Sequence, residues 1–305
     1  MIPLVIIAGP TASGKTSLAI KVAKEINGEI ISADSMQIYK KMNIGSAKPD
    51  KEEMDGVVHH LFDVCEPSES FSLSDYCTLA HKAIKDVYSR GKIPILAGGT
   101  GLYIDTVCEN IELSDAEGNS EVRDQLQNEL AEKGAQYLYD KLMEIDSESA
   151  KKLHVNDTKR VIRALEIFYL SGKTKTEADK NSKKNKKIYD YLYFAIEIDR
   201  EILYNRINIR VDNMLGQGLI DEVKSLCGEI DTEKSTAMYG IGYREVLWYF
   251  KGLTTYDEMV SLIKRNTRRL AKRQMTWFRK NKEIMWVSPD SAQYIAGKVN
   301  ERWKK

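Results

Sequence analysis

The chain has 305 residues, of which 42% are apolar and 30% are charged, and its formal net charge at pH 7 is +1. This size and composition predict a globular protein with one large or two smaller domains. The sequence lacks any run of roughly 18–20 apolar residues, the length that a membrane-spanning helix requires. Its four cysteines show neither C-x-x-C pairing nor metal-ligand spacing, which argues against a zinc site and fits a reducing compartment. Because a strand pattern starts at once, with no secretory signal before it, we expect a cytoplasmic protein that does not contact a membrane.

A phosphate-binding loop follows the first predicted strand. The apolar run at residues 2–8 is typical of a buried strand, and a helical pattern begins near Lys15. Between them the chain reads G-x-x-x-x-G-K-T, a loop whose backbone N–H groups cradle phosphate oxygens at a helix N-terminus. Lys15 can reach a terminal phosphate, and the hydroxyl of Thr16 can ligate Mg²⁺. The residues predicted to hold phosphate are Gly9, Pro10, Thr11, Ala12, Ser13, Gly14, Lys15 and Thr16.

Two further strand ends carry polar groups. Asp34 follows the predicted strand at 29–33, where it either faces the ligand crevice of an α/β sheet or caps a helix. Thr100 lies in the Gly-rich turn after the strand at 93–97; this turn could admit a ligand, but a simple tight turn is the favoured interpretation. The adjacent His59 and His60 suggest a metal site, yet neighbouring side chains point apart, so we favour ordinary packing.

The middle of the chain changes character. From residue 114 to 187 the patterns are helical, over 121–134, 135–145 and 157–170, and no strand pattern interrupts them. We therefore predict an all-helical insertion at 114–187 between a first core segment, 1–113, and a second core segment, 188–305. Its lysine-rich stretch at 183–187 is either a solvated loop or a contact for phosphate backbone.

The second core segment combines two more strands, at 190–198 and 284–287, with basic helices. Arg206 and Arg210 project from one side of a helix at 201–215. A long helix at 256–279 carries a basic stripe on one face, which predicts phosphate-backbone binding at least as well as a solvated face. The stripe is formed by Arg265, Arg268, Arg269, Lys272 and Arg273. The predicted fold class is α/β, a P-loop parallel sheet flanked by helices and interrupted by the helical insertion.

Several motifs, in order over nearly the whole chain, resemble the tRNA dimethylallyltransferase family. They are G-P-T-A-S-G-K-T, I-S-A-D-S-M-Q-I-Y, N-I-G-S-A-K-P, H-H-L-F-D, P-I-L-A-G-G-T-G-L-Y-I, N-D-T-K-R-V-I-R-A-L-E, G-I-G-Y-R-E and T-R-R-L-A-K-R-Q-M-T-W-F. The resemblance implies transfer of a dimethylallyl group from dimethylallyl diphosphate to N6 of adenosine 37, beside the anticodon of tRNA. It also implies Mg²⁺ as the cofactor, and we expect a monomer.

The same resemblance assigns roles to residues. Residues 9–16 would hold the diphosphate, with Lys15 stabilising it and Mg²⁺ on Thr16; Arg206 and Arg210, by their position, would add positive charge. Asp34 would take the proton of the adenine amine, and Thr100 would contact the base or the diphosphate. The implied contacts to the anticodon stem-loop are Asp34, Ser35, Met36, Gln37, Thr100, Arg123, Lys159, Arg160, Val161, Ile162, Arg163, Gly240, Ile241, Gly242, Tyr243, Arg244 and Glu245.

Three other functions use similar parts. An isopentenyltransferase acting on free adenine nucleotides shares the loop and the aspartate, and a P-loop kinase could use Asp34 as a base toward a hydroxyl group. An RNA-binding NTPase without transferase chemistry would share the loop and the basic surface. The helical insertion and the basic stripe favour an RNA substrate, because a small molecule needs neither.

Overall fold

The computed structural model describes residues 1–111, 120–182 and 187–303. Its strands are β1 (Ile2–Ala8), β2 (Gly28–Ala33), β3 (His59–His60), β4 (Ile93–Gly98), β5 (Tyr189–Ile196) and β6 (Met285–Val287). The helices of the first half are α1 (Lys15–Ile26), α2 (Leu73–Ser89), α3 (Gly101–Cys108), α4 (Ser120–Ile145), α5 (Ser147–Ala150), α6 (Thr158–Ser171) and α7 (Lys175–Ser182). Those of the second half are α8 (Arg200–Gly216), α9 (Leu219–Glu229), α10 (Tyr243–Phe250), α11 (Tyr256–Phe278) and α12 (Ala292–Trp303), with a 3₁₀ turn at Ala237–Tyr239.

The six strands form one parallel sheet in the order β3-β2-β4-β1-β5-β6. The last residues of three central strands lie side by side, because Gly98 of β4 pairs with both Ala8 of β1 and Ala33 of β2. The segments that follow these strands therefore emerge at one edge of the sheet. The predicted fold class is confirmed, although β3, with only two residues, was too short to give a sequence pattern.

The core explains the continuous apolar strands. Residues 4–8 of β1 are fully buried because helices cover both faces of the sheet. On one face, α1 and α12 pack together through Val22, Ile26, Ile295 and Val299. The sequence analysis did not identify α12. A second cluster joins α9, α10 and α11 to the segment that follows β2.

The chain divides into two compact units, one formed by Met1–Cys108 with Ile188–Lys305 and the other by Glu109–Lys187. The predicted boundary at residue 114 and the lysines at 183–186 lie outside the described residues. In the second unit, α4 is broken at Gly134 (φ 82°, ψ 173°), where the sequence analysis separated two helices. Its core is built from Leu126, Leu138, Leu142 and Leu165. Among the described parts of both units, no helix is long and apolar enough to cross a bilayer.

Candidate active site

The phosphate loop has a backbone that only certain residues allow. Gly14 has φ +92°, in the left-handed region that favours glycine, and Ala12 has φ 63°. A Cβ at Gly9 would lie 2.8 Å from Oγ of Ser13, so a larger residue there would displace this hydroxyl from its present position. The Ser13 hydroxyl is buried and has no hydrogen-bond partner among the described residues. The loop thus presents a compact polar cradle at the N-terminus of α1, the helix end that attracts anions.

Three cations surround this loop. Burial lowers the pKa of Lys15 to about 8, with the charge of Asp34 opposing the shift and that of Arg210 adding to it. Burial also lowers the pKa of Arg210, again against the attraction of Asp34. Arg206 lies beside the loop, since its Nη1 would be 3.9 Å from a Cβ at Gly14. The structure therefore brings Arg206 and Arg210 to the predicted diphosphate site.

Asp34 lies at the end of β2, and the two oxygens of its carboxylate have different surroundings. Its Oδ1 accepts a hydrogen bond from the backbone N–H of Met36 at 2.9 Å. A turn follows Asp34, so the helix-cap alternative is wrong. Its second carboxylate oxygen has no hydrogen-bond partner within the three described ranges. Thr100 stands next to it, because its Oγ1 accepts from the N–H of Ser35 at 3.2 Å.

The Gly-rich turn after β4 is shaped by contacts within the chain. A Cβ at Gly98 would lie 2.1 Å from the carbonyl oxygen of Ala33, and one at Gly101 would lie 2.2 Å from Cδ1 of Trp277. None of the glycines in this turn has a positive φ. The favoured interpretation of a tight turn is therefore correct in part, and the turn also carries Thr100 to the crevice.

A narrow pocket connects the phosphate loop with Asp34. It is lined by Lys15, Thr16, Asp34, Gln37, His59 and Phe62, among others. The ring of His59 stacks on Phe62 and donates from Nδ1 to the carbonyl oxygen of Val57 at 2.9 Å. Its Nε2 is buried and has no partner in the described part of the chain. Ordinary packing was predicted for His59 from its sequence context, and its place in the pocket was not.

His60 points elsewhere, as alternation along a strand requires. Its Nε2 lies 2.7 Å from Oε2 of Glu29, a buried carboxylate that also binds Arg90 and Lys92. Nowhere in the described ranges do three His, Cys, Asp or Glu side chains converge as a metal site would require. The side chains of His59 and His60 thus contact different groups, as expected for consecutive residues on a strand.

A carboxylate on α9 fixes the segment that begins at Asn43. Glu222 accepts hydrogen bonds from the backbone N–H groups of residues 43, 44 and 45 at 2.8, 2.8 and 3.0 Å. The hydroxyl of Tyr243 donates to the same carboxylate at 2.7 Å, and a Cβ at Gly45 would lie 2.5 Å from that ring. Through the carbonyl oxygen of Ala47, this segment accepts a hydrogen bond from Gln37 at 3.2 Å, so Glu222 indirectly supports the pocket.

The predicted RNA-contact segment at 240–245 approaches the turn after β2. A Cβ at Gly240 would lie 2.4 Å from Cε of Met36, so the two predicted contact segments touch. The side chains of Tyr243 and Glu245 are buried, and Glu245 binds both Arg244, at 2.5 Å, and Asn266, at 2.8 Å. The side chains of residues 243 and 245 are therefore not available to RNA in this structure, whereas those of Ile241 and Arg244 are partly exposed.

In the helical unit, two of the predicted RNA-binding arginines share one buried acid. Nη2 of Arg123 and Nη1 of Arg163 lie 3.0 and 2.8 Å from Oε2 of Glu166. Glu166 is completely buried, whereas both arginines are partly exposed. The pairing orients these guanidinium groups and reduces the positive charge that they present to solvent.

The remaining residues of this segment divide by exposure. Lys159 and Arg160 are exposed, and Arg160 pairs with Asp157 at 3.1 Å. Val161 and Ile162 are buried in the core of the unit. Their side chains support the helix and are not available to RNA in this structure.

The basic stripe on α11 is mostly exposed. Arg268 departs from the expectation, because it is half-buried and donates from Nη1 to Oδ1 of Asn208 at 2.7 Å. The exposed members are Arg265, Arg269, Lys272 and Arg273. On the adjoining part of the helix, Gln274 reaches into the site: its Oε1 accepts from the N–H of Thr11 and its Nε2 donates to the carbonyl oxygen of Gly99, both at 2.9 Å. Gln274 was not predicted as a site residue, because no local pattern in the sequence distinguishes it from the other uncharged residues of this motif.

Comparison with known proteins agrees with this geometry. Residues 37–281 match the model of the family described as IPP transferase, and residues 2–71 match that of isopentenyl transferase. The tRNA dimethylallyltransferase of Acetivibrio thermocellus is 51% identical over 288 residues, 94% of this chain and 92% of that protein.

Solved structures give the same result. The full-length tRNA isopentenylpyrophosphate transferase from Bacillus halodurans is 41% identical, with a TM-score of 0.74, and the match covers 100% of this chain and 99% of that one. A eukaryotic dimethylallyltransferase described as acting on tRNA is 31% identical, with a TM-score of 0.81, over 96% of this chain and 76% of its own. The resemblance drawn from the motifs is thus confirmed, and the chain belongs to the IPP transferase family, whose similar members are named tRNA dimethylallyltransferases.

Proposed function

We propose that this protein transfers the dimethylallyl group of dimethylallyl diphosphate to N6 of adenosine 37 in tRNA, releasing diphosphate. One observation carries the proposal: the Lys15 loop, Asp34 and Thr100 meet at one edge of the sheet, in a chain of the IPP transferase family. An anion cradle beside an open carboxylate suits a reaction with a diphosphate leaving group and an amine nucleophile. We also propose that the protein acts as a monomer in the cytoplasm.

The cationic side of the crevice would serve the leaving group. Breaking the bond between C1 of the dimethylallyl group and the diphosphate oxygen places negative charge on the diphosphate. Lys15, Arg206, Arg210 and the amides of the loop lie where they would stabilise this charge. Since their geometry is already fixed by the fold, little reorganisation is needed as the bond breaks.

The residues around the loop fit Mg²⁺. Thr16 stands in the first turn of α1 and lines the same pocket as Asp34, which gives oxygen donors of the kind that Mg²⁺ prefers. Mg²⁺ completes its coordination with phosphate oxygens and water, so a site with few protein ligands is sufficient. Bound there by the Thr16 hydroxyl, the ion would neutralise part of the diphosphate charge.

Asp34 would serve the nucleophile. The Met36 N–H holds one carboxylate oxygen, so the other can accept a hydrogen bond from the adenine amine. As N6 forms its bond to C1, the amine becomes positively charged, and its proton passes to Asp34. Thr100, held against Ser35, lies within the same edge and would contact the base.

The target base must leave the stack of the anticodon loop to reach this crevice, at a cost of about a few kcal/mol. Contacts to the phosphate backbone would offset this cost. The exposed cations of α11 supply such contacts in one unit, and Lys159 and Arg160 supply them in the other. This basic surface favours tRNA over a free adenine nucleotide as the acceptor.

Mass analysis of tRNA after reaction tests the transfer itself. We expect unmodified tRNA incubated with the protein, Mg²⁺ and dimethylallyl diphosphate to gain one dimethylallyl adduct, on a single adenosine beside the anticodon. ATP in place of dimethylallyl diphosphate should give no adduct, and free adenine nucleotides should be poor acceptors. Prenylation of AMP in preference to tRNA, or phosphoryl transfer from ATP without prenylation, would contradict the proposal.

Substitution of Asp34 separates proton transfer from binding. Asn at this position can still accept from the Met36 N–H but cannot take a proton, so we expect D34N to lower the single-turnover rate by about 10²–10⁴-fold. The affinity for tRNA should remain within about threefold, because the turn is preserved. The exposed carboxylate of Asp257 provides a control, D257N, which should leave both values unchanged. A collapse of tRNA affinity in D34N would instead make Asp34 a binding residue.

The lowered pKa of Lys15 predicts a pH dependence of anion binding. The free protein loses the Lys15 charge above about pH 8. The affinity for inorganic pyrophosphate, measured by calorimetry without divalent ions, should therefore fall about tenfold between pH 7 and pH 9. Pyrophosphate also titrates, so the control is K15R, whose charge persists throughout and whose curve reports the ligand alone. Parallel curves for the two proteins would show that Lys15 keeps its proton over this range.

The exposed basic face of α11 predicts a salt-dependent contribution to tRNA affinity. We expect the double variant R269Q/R273Q to weaken tRNA binding and to reduce the slope of log affinity against log salt by about 2, one for each phosphate that the variant no longer neutralises. The matched control is K82Q/K85Q, which also removes two positive charges, but from exposed lysines on α2. If both variants change the slope equally, the change is caused by the lower net charge and not by loss of contacts from this face of α11.

A further inference from the structure

We propose that Gln274 is a positioning residue that joins the phosphate loop to the Gly-rich turn after β4, which carries Thr100. It would thereby fix the distance between the site of the leaving group and the site of the nucleophile. This inference rests on the proposed function for its effect on rate, but its structural part can be tested separately. Gln274 lies on α11, far in sequence from both segments that it contacts.

Both ends of one carboxamide are used. Oε1 accepts a hydrogen bond from the backbone N–H of Thr11, and Nε2 donates one to the carbonyl oxygen of Gly99, each at 2.9 Å. Apart from Gln, only Asn carries a neutral donor and acceptor on one planar amide group, and its side chain is one carbon shorter. The two contacts therefore specify both the residue type and its orientation.

The surroundings hold the carboxamide in place. A Cβ at Gly99 would lie 2.4 Å from Nε2 of Gln274, so a larger residue there would displace the carboxamide from this position. Three residues along α11, Trp277 packs over Gly101 and donates from Nε1 to Oδ2 of Asp105 at 2.8 Å. Two contacts at i and i+3 thus dock the same face of α11 on the turn after β4.

The contact changes the role of Thr11 within the loop. Its N–H already has a partner, so in this state it is not one of the amides that point to a phosphate oxygen. The nearby Ala12 and Gly14 adopt positive φ angles, 63° and 92°. Gln274 restrains this part of the loop from outside it.

The consequence is geometric coupling. The loop after β1 would hold the diphosphate, and the turn after β4 carries Thr100, which bonds to the residue next to Asp34. A link between the two keeps leaving group and nucleophile at reaction distance, and a misplacement of about 1 Å can cost about 10²-fold in rate. A residue with this role should affect the rate far more than the affinity for either substrate.

Three variants test the assignment. Q274M keeps the length and removes both hydrogen bonds, while Q274E keeps the acceptor for Thr11 and loses the donor to Gly99. The control T276A removes an exposed hydroxyl that bonds only to the carbonyl oxygen of Lys272 in the same helix. Each protein is compared in single-turnover prenyl transfer, tRNA affinity, pyrophosphate affinity, thermal unfolding, and hydrogen exchange of the amides at residues 9–16 and 98–103.

We expect Q274M to lower the single-turnover rate by about 10–100-fold, with tRNA affinity within about twofold of the original. Its amide exchange should rise in the two contacted segments and not across the sheet. Q274E places a carboxylate oxygen against the carbonyl oxygen of Gly99 and adds negative charge beside the phosphate loop, so its rate should be no higher than that of Q274M, and T276A should match the original chain.

Two results would overturn the proposal: an unchanged rate in Q274M, or a rate loss that accompanies global unfolding with no local change in exchange. If the original chain itself prenylates no tRNA, the proposed function fails. The positioning role is then judged by local amide exchange alone, which must rise in both contacted segments of Q274M, so the two failures are distinguishable.

Discussion

The site depends on the parallel pairing of three strands whose ends coincide. Because Gly98 pairs with Ala8 on one side and Ala33 on the other, the phosphate loop, Asp34 and Thr100 all start from the same edge. Parallel strands need both faces covered, and the continuous apolar strands meet this need. A one-residue change of register would turn every side chain of a strand to the opposite face, so the buried core also fixes where Asp34 and Thr100 lie.

Contacts within the chain, rather than ligand approach alone, account for the residue types at this edge. A Cβ at Gly98 would collide with the backbone carbonyl of Ala33, and a Cβ at Gly9 or Gly99 would displace the Ser13 hydroxyl or the Gln274 carboxamide. Glu222 plays a similar part for the segment at 43–45, where three backbone N–H groups converge on one carboxylate. The polar groups of irregular backbone near the site are thus satisfied by side chains from α9 and α11.

Two opposing effects act on the positive charges of Lys15 and Arg210 in the crevice. Burial of Lys15 and Arg210 disfavours their charged forms, and the nearby carboxylate of Asp34 partly restores them. A bound diphosphate would restore them further, so the site is poised to accept an anion. The arginines of the helical unit follow a different pattern, since Arg123 and Arg163 already share Glu166.

The sequence by itself determined the loop motif at residues 9–16, the parallel α/β class and the family, because these follow from local spacing, hydrophobic period and motif order. It also located Asp34, but left open whether that residue capped a helix. Only the tertiary structure decided that Gln274 reaches the loop, that Arg268 turns to Asn208, and that His59 lines the pocket. Each of these contacts forms only when the helices and strands pack. It joins segments that are far apart in the sequence, so local sequence patterns do not reveal it.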